Sequence, residues 1–350
     1  MNVSQTDIHN IITDGVEYNM IKQQLLMPTG WYCVAFSKDV KEGQIISDIL
    51  CKKEIIVYRS NGQAVVASAY CPHLGAHLGH GGKINGDGEV VCPFHGFRFN
   101  NNGHCVETGY CTKPAKNTQL SVYPTHETNG LILAFYDHSG SKPSWSCPEI
   151  DVQGLSKLQT DSFEVNAHIQ DLAENSCDLG HFQWVHSYNN ASAVHTPIVD
   201  GPTMKGRYRF ERVNILRFGP ASIVLDIKVD LYGLGYNFVD YSIEQFGLYG
   251  KIFLMFTPLN EHKTRIRLGL HINRQINYAG IHPLLAWLPE PIAFKLMKVL
   301  IFKSLKEDLQ SDFAIWDHKM YLPKPKVAKG DGPIYLYRRF AYQFYQDLGS

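Results

Sequence analysis

Cys71-Pro-His73 and Cys92-Pro-Phe-His95, separated by 18 residues, set two thiols and two imidazoles among glycines at 75, 79, 81, 82 and 96. A chain with this set must fold two loops onto one small body so that the four donors meet. Pro72 and Pro93 stiffen the step after each cysteine, while the glycines let backbone come close and present amide donors. Two thiolates can take one iron of a [2Fe-2S] cluster and two neutral imidazoles the other, a ligation that raises the potential above that of an all-cysteine cluster. Tetrahedral zinc accepts the same donors, but zinc sites usually carry CxxC or HxxxH pairs, and CxH plus CxxH fits them poorly. The motif therefore points to electron transfer.

The run Cys71-Pro-His-Leu-Gly-Ala-His-Leu-Gly79, followed by Cys92-Pro-Phe-His-Gly-Phe-Arg-Phe99, resembles the Rieske domain of the Rieske non-heme iron oxygenases. Carriers with a Rieske centre alone are short. About 200 residues lie beyond the module, enough for a second domain with its own core. His77 and His80 also stand in the first loop; the two motif pairs complete four ligands without them, so both read as loop residues.

In a chain of 350 residues, 44% hydrophobic, the 33 basic side chains cancel the 33 acidic ones, which argues against nucleic acid as a partner. Residues 1–27 show no basic start followed by an apolar run, and no stretch of about 18 apolar residues would span a bilayer. The six cysteines outside the cluster motif read as reduced thiols, and the expected location is cytoplasmic.

Short β signals follow a polar N-terminal arm, 1–28. Gly30–Phe36 opens them, and Ile55–Arg59 and Ala64–Ser68 flank Ser60-Asn61-Gly62, a tight-hairpin signal. A second hairpin is expected from Phe97–Phe99 through Asn100–Gly103. Residues 29–138 thus read as an all-β [2Fe-2S] domain, and 139–145, polar and rich in turn formers, as a linker. Residues 146–350 would form the catalytic domain: helix signals near 168–181 and 284–318 bracket strand-like runs at Ser222–Val229, Gly250–Phe256 and Thr264–His271. The class is α+β, an antiparallel sheet with helices against one face. The resemblance implies a helix-grip fold around an apolar substrate cavity.

Glu174-Asn-Ser-Cys-Asp178-Leu-Gly-His181-Phe-Gln-Trp-Val-His186 carries the second chemical motif. A ferrous centre that activates O₂ needs two imidazoles and a carboxylate on one face, with positions left open. His181 and His186 can supply the imidazoles. Five residues apart, they would diverge by about 140° on a regular helix, so the helix must end or distort near Gly180. Asp308, Asp312 and Asp317 are all placed to supply the carboxylate. The resemblance selects Asp312, ahead of the pattern DxxIWxxK. It also gives Asp178, in DxxHxxxxH, the task of bridging to the second cluster histidine, His95, of a neighbouring subunit in a head-to-tail homotrimer. Asn175 is a candidate neighbour of the iron.

The resemblance further implies that a separate NAD(P)H-dependent reductase, with or without a ferredoxin, feeds electrons to the cluster, and that O₂ is the co-substrate at the mononuclear Fe(II). Ile315–Tyr321 and Gly330–Tyr345 look most like the steroid-acting branch, the ketosteroid 9α-hydroxylases and cholesterol 7-desaturases, with aminopyrrolnitrin-type arylamine oxygenases as relatives. The expected activity is hydroxylation or desaturation of a bulky apolar steroid or sterol. Oxidative demethylation or arylamine N-oxygenation is the alternative on the same fold, and an electron carrier or redox sensor lacking the second iron the alternative of another class. Lysines at 295, 298, 303 and 306 on an apolar segment suggest either a helix at a membrane surface or reductase, or a core-packed helix with solvated lysines.

Overall fold

The computed structural model describes residues 27–213 and 222–345. The expected arm, 1–28, falls almost wholly outside them.

The N-terminal half is built from β1 (Gly30–Phe36), β2 (Ile45–Leu50), β3 (Lys53–Ser60), β4 (Gln63–Ser68), β5 (Lys83–Ile84), β6 (Val90–Val91), β7 (Arg98–Phe99), β8 (Cys105–Glu107), β9 (Val122–Tyr123), β10 (Thr125–Thr128) and β11 (Leu131–Tyr136). They form three antiparallel sheets, ordered β1-β11-β10, β2-β3-β4-β9 and β5-β6-β7-β8. The Asn-Gly signal is explicit: β3 and β4 close around Asn61 and Gly62, at φ 53° and 76°, which lets the two strands keep their twist. The second hairpin pairs β7 with β8, its turn held by the Asn100 side chain accepting from the N–H groups of Asn102 and His104.

The second half is a single seven-stranded antiparallel sheet with order β12-β18-β17-β16-β15-β14-β13. Its strands are β12 (Gln159–Val165), β13 (Tyr188–Asp200), β14 (Thr203–Val213), β15 (Ser222–Tyr232), β16 (Tyr236–Ile243), β17 (Leu248–Asn260) and β18 (Lys263–Ile272). The helices are α1 (Ile169–Glu174), α2 (Gly180–Trp184), α3 (Tyr278–Ile281), α4 (Pro283–Ala286), α5 (Glu290–Ser311), α6 (Phe313–Trp316) and α7 (Ile334–Tyr342). Phe294, Met297, Phe302 and Leu309 of α5 share one buried core with Tyr208, Phe210, Leu268 and Leu270 of the sheet. The expected class, an all-β domain and then an antiparallel sheet with helices, is the class observed.

Two helix boundaries differ from the sequence reading. The 168–181 signal resolves into α1 and α2 with a turn between them, and 284–318 into α4, α5 and α6. Pro289 stands as the N-cap of α5, and Pro at the first positions of a helix starts it rather than continuing one.

The halves share packing. Trp31, Leu133 and Phe135 are buried with Tyr236, Phe238, Phe253 and Met255. Arg267 of β18 donates to the carbonyls of Cys33 and Val34 and pairs with Asp48 of β2 at 2.5 Å. Trp145, in the segment without regular structure after β11, packs on Phe135 and Phe344.

Candidate metal centres

The two cluster loops are twins. The Cys71 N–H donates to Ala76 O and the Gly75 N–H to Cys71 O; likewise Cys92 N–H donates to Phe97 O and Gly96 N–H to Cys92 O. Gly75 and Gly96 sit at φ 74° and 65°, so each loop turns back on itself through a left-handed residue. Gly109 braces the second loop: its N–H donates to His95 O at 3.1 Å, and a Cβ there would collide with that carbonyl. Sequence reasoning passed over Gly109, which lies outside both motifs.

Cys71 and Cys92 are both buried. Burial, reinforced by the neighbouring Cys92 sulfur, pushes the Cys71 thiol up to about 11. His73 and His95 meet edge to face, ring centroids 4.9 Å apart, and His73 stacks on Phe97 at 4.2 Å. Nδ1 of His95 is buried with no hydrogen-bond partner, as expected of a nitrogen reserved for a metal. Four donors serving one zinc ion would crowd together, yet among the described residues one other set alone brings three or more His, Cys, Asp or Glu donor atoms within 4.8 Å of one another. Two thiols and two imidazoles that pair without converging fit a dinuclear cluster better than zinc. His77 is otherwise engaged: Nε2 is 3.1 Å from Glu54, and Nδ1 accepts from the Gly79 N–H.

The convergent set is His181, His186 and Asp312. His181 lies in the first turn of α2, and His186 follows its end, where Ser187 at φ 57° turns the chain into β13. The break that brings both rings to one place therefore lies before and after α2, and they meet with centroids 5.1 Å apart. Asp312 caps α5, its Oδ2 3.4 Å from Nε2 of His186.

Hydrogen bonds set both tautomers. Nδ1–H of His181 donates to the Asp178 carbonyl at 2.7 Å. The Ser311 hydroxyl donates to Asp308 O at 2.6 Å, so its oxygen accepts from Nδ1–H of His186 at 3.1 Å. In each ring Nε2 keeps its lone pair. Ser311 was not foreseen; its one signal was adjacency to Asp312.

The other two carboxylates are committed elsewhere. Asp308 accepts from the Tyr188 hydroxyl and faces Arg212 at 3.5 Å, and burial holds its carboxyl above the ordinary range. Asp317 accepts from the Asn166 N–H at 2.7 Å. Asp178, partly exposed, accepts from the His181 N–H; burial raises its carboxyl, but the His181 contacts outweigh that and leave it lowered. Asn175, half-buried, is the C-cap of α1, its N–H donating to Leu172 O.

Phe182, Tyr188 and Phe210 wall the site, Phe182 lying 4.3 Å from Phe210 and 5.7 Å from His186. A cleft of about 590 Å³ opens beside α2, lined by Leu179, Gly180, Gln183, Asn189 and Arg212 among others, and is more polar than that wall. Two imidazoles with Nε2 lone pairs and one carboxylate, three donors in all, suit an octahedral ferrous ion with positions to spare.

Residues 30–124 match the Rieske [2Fe-2S] domain, and residues 134–345 match the 3-ketosteroid 9α-hydroxylase C-terminal domain. The chain is 28% identical over 349 residues to a cholesterol 7-desaturase of Xenopus laevis, covering 92% of this chain and 72% of that one. It is 25% identical over 332 residues to the oxygenase component of a 3-ketosteroid-9-alpha-monooxygenase of Rhodococcus rhodochrous, covering 91% and 84%. Dicamba monooxygenase bound to 3,6-dichlorosalicylic acid shares the fold with a TM-score of 0.68 at 19% identity, covering 90% and 96%. NdmB of Pseudomonas putida CBB5 does so with 0.66 at 15%, covering 89% and 88%.

Proposed function

The chain belongs to the family of the 3-ketosteroid 9α-hydroxylase C-terminal domain, here joined to a Rieske [2Fe-2S] domain, and on that premise we propose that it is a terminal oxygenase that hydroxylates or desaturates a steroid or sterol. It is an oxidoreductase that works with O₂ and with NAD(P)H through a separate reductase. The observation that carries the reading is the convergence of His181, His186 and Asp312 on one point. An electron carrier has no use for that set.

Cys71, Cys92, His73 and His95 would hold the cluster, and His181, His186 and Asp312 the mononuclear ferrous ion. Bound there, the cluster supplies single electrons and the ferrous ion supplies O₂ activation. Asp178 and Ser311 orient the two imidazoles, and Phe182, Tyr188 and Phe210 keep water from the site and offer an apolar wall to a substrate.

The reading includes a homotrimer. With Nδ1 of His95 turned inward, the outer edge of that ring is left to meet the Asp178 carboxylate of a neighbouring copy. Exposed Leu74, Phe94 and Tyr110 around the cluster loops, and exposed Trp184 on α2, give such a contact apolar area. Asn175 would stand beside the iron. The arm, Rieske domain, linker and catalytic domain would run 1–28, 29–138, 139–145 and 146–350. Steroids partition into bilayers, so the enzyme would collect its substrate at a membrane surface, a separate aryl-amine or demethylation chemistry having no such need.

The test is product analysis with the iron-loaded protein and a competent reductase on a panel of 3-ketosteroids, sterols, N-methyl compounds and aryl amines. Hydroxylated or desaturated steroid is expected. Turnover confined to the aryl amines or N-methyl compounds would overturn the substrate reading.

A further inference from the structure

A helix apolar on all sides normally lies inside a protein. α5 carries apolar side chains on two faces yet is buried on one. Ala293, Phe294, Met297 and Phe302 face the core, while Ile292, Leu296, Val299 and Leu300 form a second stripe, at the i, i+4, i+7, i+8 spacing of one face, that is exposed. The turns before α5 extend it: Leu284 is 70% exposed and Trp287 87%. Side chains this large do not stay uncovered without a reason.

The charges around the stripe have one dominant sign. Lys295 and Lys303 border it directly. Lys298 and Lys306 flank it, donating to Lys157 O and to Asp161, and the Arg274 guanidinium lies over Phe294. Of the acids on α5, Glu307 pairs with Lys303 and Asp308 is turned inward to Tyr188 and Arg212, leaving Glu290 at the far end. A symmetric contact with a second copy would place this cationic rim against itself. An anionic headgroup layer meets it with opposite charge, and an exposed Trp beside an aliphatic stripe is the composition that settles at the water–lipid boundary. Among the described residues no helix is long and apolar enough to cross a membrane, so the contact is with the surface.

We propose that the outer face of α4 and α5, carrying Leu284, Trp287, Ile292, Leu296, Val299 and Leu300, docks on the surface of an anionic bilayer. This rests on the reading of the substrate as a membrane-soluble steroid, and it adds a path: the helix that lies on the lipid is the one whose end carries Asp312 to the metal site.

The experiment is co-sedimentation of the iron-loaded full chain with phosphatidylcholine vesicles, with and without about 30% phosphatidylserine. The wild type binds, more strongly with phosphatidylserine. The variant Trp287→Ser/Ile292→Ser/Leu296→Ser loses about tenfold or more in affinity, and Lys295→Ala/Lys303→Ala loses the phosphatidylserine preference while keeping the residual binding. Unchanged circular dichroism and cluster absorbance check folding; should the triple variant misfold, quenching of wild-type fluorescence by brominated lipid, lost in Trp287→Phe, reads the same contact. Wild type that stays in the supernatant at low salt, or variants that bind equally, would overturn the proposal. So would a change of oligomeric mass in the triple variant with vesicle binding intact, which assigns the face to a second copy. Turnover of a cyclodextrin-delivered steroid, expected to be equal in wild type and triple variant, separates the two readings: vesicle binding without steroid turnover defeats the activity, and turnover without vesicle binding defeats the surface.

Discussion

Nε2 of His186 lies 3.4 Å from Oδ2 of Asp312, a contact between the residue that leads into β13, an edge strand of the large sheet, and the residue that closes α5. With His181 in the same cluster, the three side chains offer one ion two imidazole nitrogens and a carboxylate. His181→Ala and Asp312→Ala should each lower iron content by about one ion per chain, from about three to about two, with the visible spectrum of the cluster intact. Metal analysis beside the absorbance spectrum checks this. Loss of the cluster bands as well would mean that the two sets do not bind separately.

Ser311 spends its hydroxyl proton on Asp308 O and so can only accept from His186, which leaves the imidazole Nε2 free for metal. Losing a group that orients a ligand typically weakens metal binding by about 10- to 100-fold. Ser311→Ala should raise the dissociation constant for Fe(II) by that factor, measured by competition with a chelator, and Ser311→Thr should restore most of it. Equal iron affinity in Ser311→Ala would show that packing alone orients His186.

Much of this could be read from the residues, because short motifs act locally. The CxH and CxxH pairs became twin loops, and Asn61-Gly62 became a two-residue hairpin, since both depend on backbone preferences within a few positions. The choice among Asp308, Asp312 and Asp317 was not legible from helical geometry. It is decided by Tyr188, Arg212 and Asn166, which come from distant parts of the chain and occupy two of the three carboxylates. β13 was not legible for a related reason: Tyr188–Asp200 is mostly exposed and lacks the apolar alternation that marks a half-buried strand, and its pairing with β14 is interrupted by shifts in register. Ser311 and Gly109 work through tertiary contacts that neither motif encodes.

Asp48 and Arg267 join the two halves in a buried setting, with Arg265 as a further partner of the carboxylate. Burial pulls the Arg267 guanidinium below its ordinary value, so the charge depends on its partners. Asp48→Ala leaves it facing only the carbonyls of Cys33 and Val34, and loss of one member of a buried pair costs about 3–5 kcal/mol. Urea unfolding followed by tryptophan fluorescence and by cluster absorbance should show both transitions moving to lower urea. A loss under about 0.5 kcal/mol would mean that the pair contributes nothing beyond packing.

Glu127 takes a two-pronged contact from Arg59, 2.9 and 2.7 Å, which holds its carboxyl below the ordinary range. A carboxyl lowered by folding adds stability that is fully present above its unfolded pKa of about 4.3 and disappears as pH falls through the folded value. The melting temperature of the wild type should therefore exceed that of Glu127→Gln at pH 6–7, and the gap should close on acidification below about pH 4. The effect is small, because the pair is partly solvated. A gap independent of pH would assign the difference to packing.

Gly109 and Gly96 let two backbone segments touch behind His95. A Cβ on Gly109 would run into the His95 carbonyl, and one on Gly96 would come within 3.0 Å of the Gly109 Cα; neither obstacle is a side chain that can swing aside. Gly109→Ala must therefore push the second cluster loop outward, moving His95 away from the partner ring of His73, now 4.9 Å distant by centroids. Cluster content, read from visible absorbance per chain, should fall several-fold, while Gly86→Ala, whose Cβ would meet nothing within 4 Å, should leave it unchanged. Iron at His181, His186 and Asp312 should survive in both variants, since no residue of that set contacts the loop. Full cluster occupancy in Gly109→Ala would show that the loop can yield, and that the close approach is not what fixes His95.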